Sequence, residues 1–105
     1  MKTKICATGS YLGLVIYKGI LEDANLKKGD IVSVDYNKRK KQLQIKKEVE
    51  IGNSTTTIRS GFGKSLGITL KVGVIASCGY KLYDAVDIRY DEIRKFIKVR
   101  RIEDV

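Results

Sequence analysis

Apolar residues in this chain occur mostly in short alternating runs, and the clearest of them begins at Ile31. The run IVSVDY alternates apolar and polar positions as a half-buried strand does. The turn signal KKGD precedes it, in which Gly29 supplies backbone freedom and Asp30 can bond its own local backbone. Before the turn, residues 19–25 have the apolar spacing of a short helix. The pattern therefore predicts a helix, a tight turn and a strand in series.

The same series occurs a second time, 54 residues later, without a gap from residues 9 and 63 to residues 47 and 101. The identical pairs at this offset include Gly9 and Gly63, Leu12 and Leu66, Gly13 and Gly67, Gly19 and Gly73, Asp30 and Asp84, Val32 and Val86, and Tyr36 and Tyr90. If the second unit has one extra residue before Gly63, the match extends upstream, and residues 3–5 align with residues 56–58. We therefore expect two copies of one unit, residues 1–50 and 55–105, within one domain that covers residues 1–105.

Each unit is predicted to have the order ββαββ. In the first unit the strands are predicted at residues 3–8, 14–17, 31–36 and 42–47, with the helix at 19–25. In the second unit they are predicted at residues 55–60, 68–71, 85–90 and 96–101, with the helix at 73–79. Asn25 and Gly79 occupy the positions where a left-handed residue ends a helix. Because one such unit is too small to bury a core alone, the two units should pack about an internal two-fold axis.

Composition narrows the class of partner. The 105 residues contain 21 Lys and Arg against 12 Asp and Glu, a net charge of +9, which suits DNA, RNA or an acidic membrane surface. General solubility is the alternative explanation of this charge. A domain of this size is only marginally stable alone, so a homo-oligomer is also expected. The N-terminal MKTK has no long apolar run behind it, which predicts a cytoplasmic protein with no membrane partner.

The residues that most enzymes and metal sites need are scarce. The chain has no histidine and only two cysteines, Cys6 and Cys78, so a Cys/His zinc site is excluded and an all-Cys site lacks ligands. We expect both cysteines to be small buried side chains, with a disulfide as the alternative. Without histidine no Ser–His or Cys–His pair can form, so we expect a non-enzymatic protein that needs no cofactor. The segment GFGKS lacks the first glycine of a phosphate loop, since Ile58 stands there, and is predicted to be a hairpin turn.

The stretch GSYLGLVIYKGILEDANLKKGDIVSVDYNKRKKQLQIKK resembles the AbrB/MazE-like DNA-binding domain. The residues that match the family pattern in the first unit are Gly9, Ser10, Ile16, Lys18, Gly29, Asp30 and Val32. The resemblance implies a swapped-hairpin β-barrel, normally built from two interleaved copies in a homodimer. Here it covers nearly the whole chain twice, which implies a single-chain pseudo-dimer that is mostly β with short helices. The proline of the family pattern is Tyr17 in the first unit and Lys71 in the second, and Val72 replaces the lysine matched by Lys18, so the fold carries over better than the DNA contacts do.

In the resembling family, the first strand, its loop and the end of the second strand face DNA. The corresponding candidate DNA-binding residues here are Lys2, Lys4, Ser10, Tyr11, Lys18, Arg59, Lys64 and Lys71. The basic side chains would pair with phosphates, and Ser10 and Tyr11 would add hydrogen bonds. The basic run at residues 38–41 is a weaker candidate, because the second unit has Asp91 and Glu92 in its matching hairpin.

Two function classes remain from the sequence. The first is a sequence-preferring regulator of transcription that binds double-stranded DNA. The second is a protein-binding module on the same barrel, either antitoxin-like or an assembly subunit. Antitoxins of this kind usually add a tail that grips the toxin, and the last predicted strand ends at residue 101, close to Val105, so we expect the regulator. Composition does not distinguish DNA from RNA.

Overall fold

Alternation of apolar and polar residues produces ten short strands in the structure, a computed structural model that describes residues 1–104. The first half contains β1 (Lys2–Lys4), β2 (Cys6–Thr8), β3 (Tyr11–Ile16), α1 (Lys18–Asp23), β4 (Ile31–Asn37) and β5 (Gln42–Glu48). The second half contains β6 (Thr55–Thr57), β7 (Arg59–Phe62), β8 (Ser65–Leu70), α2 (Val72–Cys78), β9 (Ala85–Asp91) and β10 (Phe96–Arg101), followed by a 3-10 turn, Ile102–Asp104. The prediction of a mostly β fold with two short helices is confirmed.

The strands form two antiparallel sheets. The large sheet has the order β1-β9-β10-β5-β4-β6, and the small sheet has the order β2-β3-β8-β7. Each strand of one half has a counterpart in the other half, for example β1 and β6 or β4 and β9. If every strand is replaced by its counterpart, the same two orders result, read from the opposite edge of each sheet. The register has the same property, since the central pairs are Leu14 with Ile68 and Gln44 with Lys98, both 54 residues apart. The first strand of each half pairs with the other half, β1 with β9 and β6 with β4.

The first strand of each half changes sheet, which the sequence did not indicate. We predicted single strands at residues 3–8 and 55–60, and the structure divides each of them between the two sheets, at Ile5 and Ile58. Ile5 donates to the carbonyl of Asp84 at 2.9 Å and accepts from the backbone N–H of Tyr83 at 2.8 Å. Ile58 makes the same two bonds with Asp30 and Gly29, at 2.9 and 2.8 Å. The single-strand prediction is wrong here, because strand propensity does not record which sheet a residue joins.

The core lies between the facing apolar sides of the two sheets. Its small-sheet part consists of Leu14, Ile16, Ile68 and Leu70, all buried. Its large-sheet part consists of Val32, Val34, Leu43, Ile45, Val86, Ile88, Ile97 and Val99. Ile5 and Ile58 are fully buried in the same cluster. The sheet-switching residues are therefore part of the core as well as of the backbone hydrogen-bonding network.

Left-handed backbone conformations recur at the same offset of 54 residues. The pairs are Gly9 and Gly63 (φ 62° and 68°), Asn25 and Gly79 (57° and 71°), Gly29 and Tyr83 (93° and 69°), and Lys41 and Lys95 (53° and 63°). Gly61, with φ 110°, has no such counterpart. It lies in the irregular part of β7, where the register with β8 shifts between Arg59 and Phe62. The extra residue of the second unit is thus accommodated as a β-bulge.

The backbone conformations and hydrogen bonds of the turns are those that their residue types predict. Asn25 and Gly79 follow the last turns of α1 and α2 in the left-handed conformation, as expected. The carboxylate of Asp30 accepts the backbone N–H of Lys27 at 3.0 Å, which confirms its role in the turn before β4. Asp84 accepts the N–H of Lys81 at 2.8 Å in the second half. There Tyr83 adopts the left-handed conformation that Gly29 has in the first half, so this turn is held without a glycine.

Replacing Ile58 by alanine should lower the free energy of unfolding by about 2–5 kcal/mol, because it leaves a cavity at the point where the chain changes sheet. Urea unfolding followed by circular dichroism would measure the loss. Ile93→Ala is the matched control, since Ile93 is 92% exposed and its truncation should change the stability by about 0.5 kcal/mol or less. Equal effects of the two substitutions would contradict the placement of Ile58.

Candidate nucleic-acid interface

Two glycines, Gly13 and Gly67, lie at the centre of the outer face of the small sheet. A Cβ atom on Gly13 would lie 2.7 Å from Cε1 of Phe62, and a Cβ atom on Gly67 would lie 3.0 Å from Cδ2 of the same ring. One phenyl ring therefore covers both glycines. The guanidinium carbon of Arg59 lies 5.6 Å from the centre of this ring, and Nη2 donates to Oγ1 of Thr8 at 2.7 Å. Arg59 is thus held across the face, with its side chain still exposed.

Antiparallel pairing of β3 with β8 places other candidate residues at the two ends of the small sheet. Leu12 pairs with Leu70, so extending the register by one residue puts Tyr11 opposite Lys71. At the other end, Lys18 and Lys64 line the same open depression, beside the paired ends of the two strands. The six residues of β3, at about 3.3 Å each, separate the two ends by roughly 20 Å. The structure therefore brings the candidates together as two groups rather than one.

The candidate side chains at these ends are exposed and weakly engaged. Ser10 and Tyr11 lie at the turn between β2 and β3, and Tyr11 is 55% exposed. Lys18 makes an ion pair with Glu22 at 3.9 Å, one turn further along α1. A pair between two exposed side chains contributes little free energy, so Lys18 is available to another anion. Lys64 and Lys71 are exposed as well.

Lys2 and Lys4 are placed apart from the others. They lie in β1, at the edge of the large sheet, where they pair with Asp87 and Ala85. The hydroxyl of Tyr17 donates to the carbonyl of Lys2 at 3.2 Å, which holds this edge beside the end of β3. The two lysines therefore lie beside the small sheet and not on it.

The two sheets differ in whether acidic side chains are mixed with their basic ones. Residues 1–21 and 51–83 contain every strand and turn of the small sheet, together with β1, β6, α2 and the start of α1, and they hold seven basic residues and no carboxylate side chain. The basic residues are Lys2, Lys4, Lys18, Arg59, Lys64, Lys71 and Lys81. The acidic side chains belong to α1, to the strands of the large sheet and to the segments beside them. A duplex that lay on the small sheet would therefore meet cations and no acid from its strands and turns, and at one end it would meet Lys18 with Glu22 of α1 beside it.

The large sheet carries basic residues on its outer face that the sequence analysis missed. Lys98 and Arg100 alternate along β10 with the buried Ile97 and Val99, and this alternation was the available signal. Arg100 donates to the carbonyl of Lys40 at 2.9 Å, so the hairpin at residues 38–41 lies against this sheet.

Carboxylates are interspersed among these cations. Asp87 accepts from Arg89 at 2.7 Å and from the N-terminal ammonium at 3.1 Å. Burial alone would raise the pKa of Asp87, but these two hydrogen bonds outweigh it and hold the pKa below its usual value. Asp87 therefore stays ionised, and it neutralises part of this face.

The two cysteines are free thiols. The Sγ of Cys6 lies 3.4 Å from the carbonyl of Gly13, and Cys78 is buried at the end of α2. Cys78 is buried as predicted, whereas Cys6 is only partly buried, because β2 is an edge strand of the small sheet. Burial raises the pKa of both thiols, so they stay protonated at neutral pH. Among residues 1–104 no three potential metal-binding side chains are grouped together, and no helix has the length and apolar character needed to cross a membrane.

Replacing Gly67 by alanine should lower the free energy of unfolding by about 1–3 kcal/mol, because its Cβ would lie 2.4 Å from the carbonyl oxygen of Leu14. Gly13→Ala should cost less, since its nearest neighbours are the side chains of Phe62 and Thr8, which can move. Gly19→Ala is the control: it meets nothing within 4 Å and should stabilise α1 by about 0.5 kcal/mol. Chemical unfolding of the three variants would test this order, and a neutral Gly67→Ala would contradict the close contact of β3 with β8.

Comparison of the chain with protein-family models, with curated proteins and with solved structures finds no match. The resemblance to AbrB/MazE-like domains therefore rests on the residues of this chain alone.

Proposed function

We propose that this chain is a non-enzymatic regulator of transcription that binds double-stranded DNA through the outer face and the two ends of the small sheet. The observation that carries the proposal is the distribution of charge: the small sheet and its turns contain cations and no carboxylate side chain. Neutralising phosphates releases condensed counterions, which favours binding at moderate salt. A face of one sign fits this requirement better than the mixed outer face of the large sheet.

We also propose that the fold is a swapped-hairpin barrel in which two fused units act as a pseudo-dimer. The pairing of β1 with β9 and of β6 with β4 supports it, because each unit supplies a strand beside the other. The recurrence of left-handed residues at a constant offset supports it independently. The pseudo-two-fold axis would then pass near Leu14 and Ile68, at the centre of the small sheet. The two basic ends would be related by this axis, as the half-sites of a palindromic operator are related to each other.

The proposed contacts have separate roles. Lys18 and Lys64 would bind phosphates at one end, and Lys71 would do so at the other, where Ser10 and Tyr11 would donate hydrogen bonds. Arg59 would contact the duplex near the axis, and Lys2 and Lys4 would reach flanking phosphates from the edge of the large sheet. The two ends are not equivalent, because Val72 is the counterpart of Lys18. We therefore expect the preferred DNA site to be an imperfect palindrome.

A protein-binding module is the second candidate function. Val49, Ile51 and Ile93 are at least 81% exposed, and large apolar side chains on a surface are typical of protein contacts when they are contiguous. They lie in the segment between the two units and in the β9–β10 hairpin, outside the strands of the small sheet. A homo-oligomer formed through them would leave the proposed DNA surface free.

Lys64→Ala and Arg59→Ala should each weaken DNA binding and reduce the slope of log affinity against log salt by about one unit, as expected for the loss of one phosphate contact. The duplex would be selected from random DNA, and binding would be measured by fluorescence anisotropy over a range of salt concentrations. Lys40→Ala is the control, because Lys40 lies against the large sheet, and it should change the slope much less.

Two outcomes would oppose this placement. Equal damage by Lys40→Ala and Lys64→Ala would place DNA elsewhere on the surface. Absence of salt-dependent binding to any duplex would reject DNA as the partner, and a protein partner would then become the leading hypothesis.

A polypeptide of residues 1–52 alone should be either unfolded or a homodimer, because β4 would lack β6 and β5 would lack β10. Circular dichroism combined with sedimentation equilibrium would distinguish these states. The full chain at the same concentration is the control. A stably folded monomer of residues 1–52 would show that the unit does not need its partner, and it would reject the pseudo-dimer.

A further inference from the structure

An open cavity of about 470 Å³ lies where the end of α1 meets β5 and the β9–β10 hairpin. Its apolar wall includes Leu26, Ile45 and the ring of Tyr90. Leu26 and Ile45 belong to the core, and Tyr90 packs against it, so this wall is rigid. The volume is within the range of about 300–1,000 Å³ that is typical of small-molecule sites.

Cations surround this apolar wall. Lys46, Lys47, Arg94 and Lys95 all line the cavity. Lys47 comes from β5 and Lys95 from the β9–β10 turn, and like charges that line one cavity repel each other. Lys46 also lies over the ring of Phe96, at 5.6 Å.

The neighbouring carboxylates compensate only part of this charge. Asp30 lies 3.7 Å from Lys47. Asp91 accepts the backbone N–H groups of Ile93 and Arg94 at 3.1 and 3.0 Å, which lowers its pKa and keeps it ionised within the hairpin. Glu92 is the remaining acid of this hairpin and is exposed. Against these three acids stand four cations, so an anion in the cavity would relieve the repulsion among the cations that line it.

The equivalent place in the second half contains an aromatic ring. At the offset of 54 residues, Tyr80 takes the position of Leu26 and Arg101 takes that of Lys47. Tyr80 is 1% exposed and its hydroxyl donates to the carbonyl of Val99 at 3.3 Å. The guanidinium of Arg101 lies 5.7 Å from the centre of the Tyr80 ring. The second half thus fills this place with a ring of its own, beneath a cation.

The polar framework around the two places is the same. Arg101 lies 3.6 Å from Asp84 and donates to the carbonyl of Gly79 at 3.5 Å. Lys47 lies 3.7 Å from Asp30 and donates to the carbonyl of Asn25 at 3.4 Å. The first half therefore keeps the cation and its supports, and it has leucine where the second half has the ring.

We propose that the cavity binds a small aromatic anion, whose ring occupies the place that Tyr80 fills in the second half. Lys47 would lie over this ring as Arg101 lies over Tyr80, and the interaction of a cation with an aromatic face would add to the burial of the ring. Arg94 and Lys95 would bind the phosphate or carboxylate group of the ligand. This proposal does not depend on DNA binding.

Phenyl phosphate, inorganic phosphate and phenol provide matched probes, because they separate the charge from the ring. Each would be titrated into the full ¹⁵N-labelled chain at constant ionic strength, and the amide shifts would be followed by NMR. We expect phenyl phosphate to bind about tenfold more tightly than inorganic phosphate or phenol, with the largest shifts at Leu26, Lys47 and Lys95. Equal affinity for phenyl phosphate and inorganic phosphate, or shifts spread over all basic surfaces, would overturn the proposal.

Leu26→Tyr gives the decisive variant, since it introduces the residue that the second half accommodates at the same position. It should weaken phenyl phosphate binding about tenfold or more, whereas Leu82→Tyr, at an exposed turn position of the second half, should leave binding unchanged.

Arg94→Ala removes an exposed side chain and tests the binding of the anionic group without a change in the core. It should weaken phenyl phosphate several-fold and leave the weak binding of phenol as it was. Wild-type affinity in either Leu26→Tyr or Arg94→Ala would reject the site.

Discussion

Two pairs of backbone hydrogen bonds, at Ile5 and Ile58, connect the two sheets of this molecule. Each residue bonds to the turn that precedes a large-sheet strand of the opposite half, at 2.8 and 2.9 Å. Each also places a fully buried side chain in the core. Because the chain leaves one sheet and enters the other at these residues, β1 and β6 reach the edges of the large sheet while β2 and β7 form the edges of the small one. The burial of the core and the pairing of the sheet edges therefore depend on the same two residues.

The small sheet gains its chemical character from this arrangement. Its strands come from two stretches of the chain that contain no carboxylate side chain, and the antiparallel pairing of β3 with β8 brings these stretches together. In the large sheet, β4, β5 and β9 all contain acidic residues, and Asp87 holds both Arg89 and the N-terminus. The absence of acids from the strands of the small sheet thus follows from which strands the fold assigns to each sheet. A basic protein whose acids were spread over both sheets would have no comparable surface.

Much of this architecture is visible in the sequence, because strand alternation and turn residues are local. The position of β4 and the turn before it follow from Gly29, Asp30 and the alternating run at Ile31. The sheet switch at Ile5 does not follow, because the residues on both sides favour strand and only the tertiary partner decides between sheets. The sequence grouped Lys2 and Lys4 with the small-sheet candidates because it predicted one continuous strand, whereas both lysines lie in β1 of the large sheet. The cavity beside Leu26 also escaped prediction, since it depends on the contrast between Leu26 and Tyr80 in three dimensions.

The ring of Phe62 shows what a single chain permits and a symmetric dimer does not. It lies over Gly13 and Gly67, which are counterparts on the two central strands of the small sheet. Its own counterpart is Thr8, whose methyl group would approach a Cβ atom on Gly13 to 2.9 Å. In a homodimer of identical units, a second phenyl ring would be generated by the two-fold axis and would compete for the same space. A large side chain can occupy the symmetry axis only when the two halves are free to differ, and one covalent chain gives them that freedom.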